Sequence, residues 1–263
     1  MNDRLVLTDG DTELEVDLES GGRLARLAFE GHDVLVGRES DPFRWGSYPM
    51  VPFAGRIRRG RFEFRGVEHA LPANLGPHAG HGYGFLGRWQ QIDEATVEYQ
   101  MAEPWPFEGS VRQSFDVAPG RVTVTMEVRA AEDQPVMLGW HPWFRRVLDD
   151  GAELELTVEP SLMYELDREM IPTGRRVQPP PRPWDNCFVG LESPPLLRWG
   201  STLAVEITSS CDHWVIFDEP EHAICVEPQT GAPDEFNRDP LVLVASDRIV
   251  HSMTVAQVAP PPT

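Results

Sequence analysis

Lysine is absent. All 23 basic residues are arginine, which excludes Schiff-base chemistry and a phosphate-loop lysine, since both require an amine. Positive charge is also scarce: 42 acidic residues leave a net charge of −19. A field of that sign opposes phosphate backbones and anionic lipid, so neither nucleic acid nor a membrane is expected as a partner. Cysteine is sparse. Cys187, Cys211 and Cys225 show no metal-ligand spacing, and three thiols cannot pair fully within one chain. No run of eighteen uncharged apolar residues exists, and the first eleven residues include Asp3, Arg4, Asp9 and Asp11. A transmembrane helix and a secretory leader are therefore not expected, and the compartment expected is a reducing cytoplasm.

Twenty-five prolines and 22 glycines are spread over the 263 residues and leave little room for long helices. Short alternating runs lie between them. Glu13–Leu18 and Arg121–Arg129 alternate strictly, with valine and threonine enriched in the second, as half-buried strands do. Weaker signals of the same kind fall at Leu24–Phe29, Glu153–Val158, Leu203–Ile207, Val215–Phe217, Ile224–Val226, Leu241–Val244 and Met253–Val258. Ala118-Pro119-Gly120 reads as the turn into the strand at Arg121. Many short strands with frequent turns predict an all-β sandwich or barrel. The proline-rich stretch Gln178–Pro183 joins regions of similar composition, so it is taken as a surface loop within a single domain, 1–263. The tail Ala259–Thr263 is expected to fray.

Two motif matches fail on context. Gly82-Tyr83-Gly84-Phe85-Leu86-Gly87 fits G-x-G-x-x-G, but loop precedes it and no helical pattern follows, so the dinucleotide fingerprint does not apply. His78 and His81 have no third ligand at a recognised spacing, so no metal and no cofactor is expected. No nucleophile-elbow or cysteine-protease signature supports acyl transfer.

Five polar residues sit where packing alone does not ask for them. His141 is flanked by large aromatics in Gly139-Trp140-His141-Pro142-Trp143-Phe144; this suits a positioned acid or base, and equally a core histidine bonded to backbone. Glu227 follows the apolar run 223–226, where a carboxylate needs a partner or a task; a salt bridge is the plain alternative. Arg56 follows Val51-Pro52-Phe53-Ala54-Gly55, and its neighbours Arg58, Arg59 and Arg61 read as solvated. His81 lies in the glycine-rich loop. Asp185 lies between Trp184 and Phe188, after the proline-rich stretch.

The segments around these residues, in this order, resemble the aldose 1-epimerase (galactose mutarotase) family. The histidine-proline-aromatic segment and Glu227-Pro228-Gln229-Thr230-Gly231-Ala232-Pro233-Asp234-Glu235-Phe236-Asn237 are the most specific, and the resemblance runs from about Gly21 to Val258. It implies a large antiparallel β-sandwich, the galactose mutarotase-like supersandwich. It also implies an isomerase that interconverts the α and β anomers of a free hexose. His141 would protonate the ring oxygen as acid, Glu227 would take the proton of the C1 hydroxyl as base, and Arg56, His81 and Asp185 would hold sugar hydroxyls. Galactose mutarotases carry asparagine before the arginine, where this chain has Gly55, so the resemblance fixes the family more firmly than the sugar.

Opening a cyclic hemiacetal needs one proton removed at O1 and one delivered at O5, which an imidazole and a carboxylate supply without a cofactor. With His141 protonated and Glu227 ionised, the acid limb of a bell-shaped rate profile would follow Glu227 and the alkaline limb His141. Trp143 and Phe85 are the aromatics expected to stack on a sugar. A neutral sugar is favoured over a phosphorylated one because Arg56 is the only inward-looking arginine among those singled out, with the loop arginines Arg44 and Arg88 as other candidates. A sugar-binding or sugar-sensing module without turnover is the alternative; a glycoside hydrolase using Asp185 and Glu227 is a third reading. The oligomeric state is left open.

Overall fold

The computed structural model describes residues 3–259. Two large sheets carry the fold, and every pairing within them is antiparallel. The larger has eleven strands. Its centre runs Arg23–Phe29, Ser47–Met50, Gly139–Arg145, Ala223–Gln229, His213–Phe217, Asp185–Leu191. The smaller has eight strands, centred on Gly109–Ala118, Arg121–Ala130, Arg248–Gln257 and Leu203–Ser209.

Alternation explains how the sheets meet. On Arg121–Ala130, Val122, Val124, Met126 and Val128 are buried while Arg121 and Arg129 are exposed. These side chains share one hydrophobic core with Leu14, Leu27, Trp140, Phe144, Ile216 and Val226 of the larger sheet. Each fully buried large apolar side chain contributes roughly 2–3 kcal/mol. The all-β sandwich expected from the sequence is what the structure shows.

Strand positions differ from the sequence reading in two informative places. Leu241–Val244 contains only the two-residue strand Val242–Leu243, paired with Gln134–Pro135. Leu241, Val242 and Val244 stay exposed, so the apolar run lies in a small two-stranded sheet and in neither large one. Gly139–Arg145, by contrast, gave no alternating signal, yet it is a central strand buried through residues 139–144. With both faces covered, nothing polar is needed to alternate. Gln178–Pro183 contains no strand. Most of the tail expected to fray, residues 260–263, lies outside the described residues. No helix among the described residues is long and apolar enough to cross a membrane.

Candidate active site

The site is built on the face of the larger sheet that turns away from the core shared with the smaller one. His141 and Tyr48 are cross-strand partners. The register pairing Gly139 with Gln229 and Trp143 with Cys225 sets His141 opposite Glu227. Glu227 in turn pairs with Val215, and Val215 with Cys187. One step along the strands, Trp143, Cys225, Phe217 and Asp185 form a second row on the same face. Two parallel rows of a sheet thus bring together residues as far apart in sequence as Tyr48 and Glu227, about 5 Å from strand to strand.

Loops complete the enclosure. The short strand Arg56–Ile57 pairs with Ala79–Gly80, and the His81 amide donates to the Gly55 carbonyl at 2.8 Å. His81 adopts a left-handed backbone (φ 60°). Gly82, also left-handed, could not carry a Cβ, which would fall 1.9 Å from the Val51 oxygen. A Cβ at Gly84 would likewise fall 2.5 Å from the Val51 side chain and one at Gly87 2.3 Å from the Tyr99 ring, so close packing accounts for the glycines of the apparent nucleotide motif, which is followed by only a single turn of 3-10 helix, Gly84–Leu86.

The segment from Glu227 to Asn237 folds over the other side, and most of its polar side chains act on backbone. Thr230 Oγ1 accepts from the Leu138 amide at 3.0 Å. Asp234 accepts from the Arg58 amide and from the Asn237 side chain, both at 2.8 Å. The result sets Pro233 against Gly55, where a Cβ would lie 2.8 Å from the proline ring. Gly55, which stands where the resemblance places asparagine, is therefore required by close packing and by its own left-handed backbone (φ 64°).

Arg56, His81, His141, Asp185 and Glu227 line one open cavity of about 490 Å³, with Phe43, Tyr48 and Trp143 among its walls. Arg56 donates to Asp185 at 3.2 Å. His141 Nε2 lies 3.3 Å from Glu227 Oε1, and both side chains are almost wholly buried. The His141 ring stacks on Trp143 at 5.4 Å and on Tyr48 at 4.7 Å, and His81 meets its edge at 5.1 Å. Nδ1 of His141 and Nε1 of Trp143 have no hydrogen-bond partner.

Burial governs the electrostatics. It pushes the Glu227 carboxyl well above its usual range, and the Asp185 charge adds to this while Arg56 opposes it. Burial pushes His141 well below the ordinary imidazole value, with His81 and Arg56 adding to the effect. His81 falls to about 3, again through burial first and Arg56 second. Both shifts favour the uncharged forms, a protonated Glu227 beside a neutral His141. This reverses the tautomer expected from the sequence, because desolvation of two charges outweighs their attraction. One proton is shared by the pair in either form.

Other expectations are corrected. Phe85 is fully buried behind Phe43 and Tyr48, at 4.8 and 5.0 Å between ring centres; Phe43 lines the cavity in its place. His78 is held by backbone: its Nδ1 accepts from the Arg59 amide at 3.1 Å and its Nε2 meets the Glu169 carbonyl at 3.0 Å. Arg58 is not simply solvated, since it is bonded to Asp167 at 2.6 Å and to Glu169. Arg44 lines the cavity, whereas Arg88 pairs with Asp3 and Glu19. Cys225, which shows no metal-ligand spacing to the other cysteines, lies beside the pair. Its sulfur, a His141 ring nitrogen and a Glu227 oxygen lie within 4.8 Å of one another, and the signal was the two-residue spacing of Cys225 and Glu227 on a strand.

The scaffold is an antiparallel sandwich with a buried imidazole and carboxyl side by side in the wall of an open cavity. The sequence profile of the aldose 1-epimerase family matches residues 3–237, and the chain belongs to that family. The uncharacterised protein YphB of Escherichia coli K12 is 29% identical over 221 residues, which are 73% of this chain and 75% of YphB. A galactose mutarotase-like protein of Clostridium acetobutylicum has the same fold, with a TM-score of 0.84 at 16% identity over 97% of this chain and 94% of its own. So does a GalM/aldose epimerase homologue of C. elegans, with a TM-score of 0.81 at 17% identity over 97% and 98% of the two chains.

Proposed function

We propose that this protein is an aldose 1-epimerase that interconverts the α and β anomers of a free hexose by opening and closing the ring. The observation that carries the proposal is the buried His141–Glu227 pair, 3.3 Å apart in the wall of the cavity. Entering sugar hydroxyls supply the hydrogen-bond donors that a carboxylate needs, so the shared proton moves to His141. Glu227 then takes the proton from O1 while His141 delivers one to O5, and the ring opens to the aldehyde. That step leaves Glu227 protonated and His141 neutral, the directions in which burial pushes the two groups. Rotation about C1–C2 presents the other carbonyl face, and closure runs the two transfers backwards.

The remaining groups orient the sugar. Arg56 and Asp185 brace each other and present a donor and an acceptor to ring hydroxyls, while neutral His81 does the same from the opposite side. Trp143 and Phe43 offer apolar walls. Asp41, Asp185, Glu219 and Glu227 outnumber Arg44 and Arg56 at the cavity, which supports a neutral sugar over a phosphorylated one. The test is polarimetry on freshly dissolved α-hexoses and their 6-phosphates, with and without protein. Accelerated decay of optical rotation for at least one free hexose is the expected result. No acceleration across the panel, or acceleration confined to the phosphates, would overturn the assignment.

A further inference from the structure

The cross-strand square that sets His141 against Glu227 has a third corner bearing a ligand atom. Cys225 precedes Glu227 by two residues on the same face of Ala223–Gln229, and Trp143 fills the fourth corner opposite it. A ring nitrogen of His141, the Cys225 sulfur and a Glu227 oxygen lie within 4.8 Å of one another, with all three residues buried. His141 Nε2 and Glu227 Oε1 are already 3.3 Å apart. Bonds of roughly 2.0–2.3 Å to zinc place neighbouring ligand atoms at about this separation, so completing the set needs only small side-chain adjustment. Imidazole, thiolate and carboxylate together suit soft or borderline divalent ions, whereas magnesium and calcium take oxygen ligands.

We propose that His141, Cys225 and Glu227 form a binding site for one soft divalent ion of the zinc and cadmium class, with the fourth coordination position turned to the cavity. The ion takes the place of two protons, the one shared by His141 and Glu227 and the one on the thiol, and both are released to solvent. An ion bound there occupies the floor on which the sugar sits, so it inhibits; only this inhibitory consequence rests on the epimerase assignment. Binding itself follows from the ligand geometry alone.

The experiment is a titration of the purified protein with cadmium chloride, followed by the ultraviolet cadmium–thiolate charge-transfer band and by calorimetry. One ion per chain is expected, with the band present in wild type, Cys187→Ala and Cys211→Ala. Cys225→Ala should lose the band and bind at least tenfold more weakly, while keeping its circular dichroism and its mutarotation. Cys225→Ser serves the same comparison if the alanine variant folds poorly. Magnesium chloride should not bind. Absence of the band in wild type, or its persistence at equal affinity in Cys225→Ala, would overturn the site. Cadmium should slow mutarotation in wild type and not in Cys225→Ala. Metal binding without any mutarotation would refute the epimerase assignment and leave the metal site standing.

Discussion

The charges of three buried side chains set how this protein responds to pH. Because burial raises Glu227 and depresses His141, the singly protonated pair exists between the two perturbed values. The acid limb of the rate profile is therefore expected to follow His141 and the alkaline limb Glu227, the reverse of what unperturbed side chains would give. Glu227→Gln should abolish the alkaline limb in its residual rate; a limb retained unchanged would contradict this ordering. His81 makes a separate prediction about stability. Its imidazole falls from 6.5 unfolded to about 3 folded, so the unfolded chain takes up a proton first and the stability present above 6.5 is lost as pH falls. Between about pH 7.5 and pH 5 the loss from this residue is about 2 kcal/mol, and His141 adds to it with the same sign. Denaturant unfolding at the two pH values should show His81→Asn, which tolerates the left-handed backbone, losing about 2 kcal/mol less than wild type. The five polar residues were legible in the sequence because each stood against an apolar or glycine-rich background. Cys225 was not, since a cysteine inside Ala223-Ile224-Cys225-Val226 looks like core. Phe85 and Phe43 were not separable either, because which ring faces the cavity depends on contacts far along the chain.

At the scale of single strands and loops, what could be read depended on whether one face met water. Arg121–Ala130 announced itself through alternation, and so did Thr12–Asp17. The strand that carries His141 did not, because both its faces are covered. The loop that carries Arg56 was marked only by its glycine, and the structure supplies the reason. Gly55→Ala adds a Cβ at 2.8 Å from Pro233 in a left-handed residue, so it should cost about 1–3 kcal/mol of stability. Pro233→Ala in the same chain should recover part of that loss, a coupling visible in a double-mutant cycle of unfolding midpoints. Simple additivity of the two changes would show that the Gly55–Pro233 contact does not set the position of the Arg56 loop.

For the molecule as a whole, turn density and alternation pointed to a sandwich, but the order of strands was not readable. Arg23–Phe29, Ser47–Met50, Gly139–Arg145 and Ala223–Gln229 are neighbours in space, and only long-range pairing makes them so. The net charge of −19 adds a prediction at this scale. A neutral sugar feels no long-range field, so kcat/KM should be nearly independent of sodium chloride concentration. A marked fall or rise with salt would point to a charged substrate. The central claim, that His141 and Glu227 work as one acid–base couple, is tested most directly by the anomer interconversion rate of Glu227→Gln and His141→Asn beside wild type. Each variant should lose at least about 100-fold in kcat, the low end for general acid–base catalysis, while KM changes far less because Arg56, His81 and Asp185 remain. Near wild-type kcat in both variants, measured above the spontaneous rate, would contradict the account.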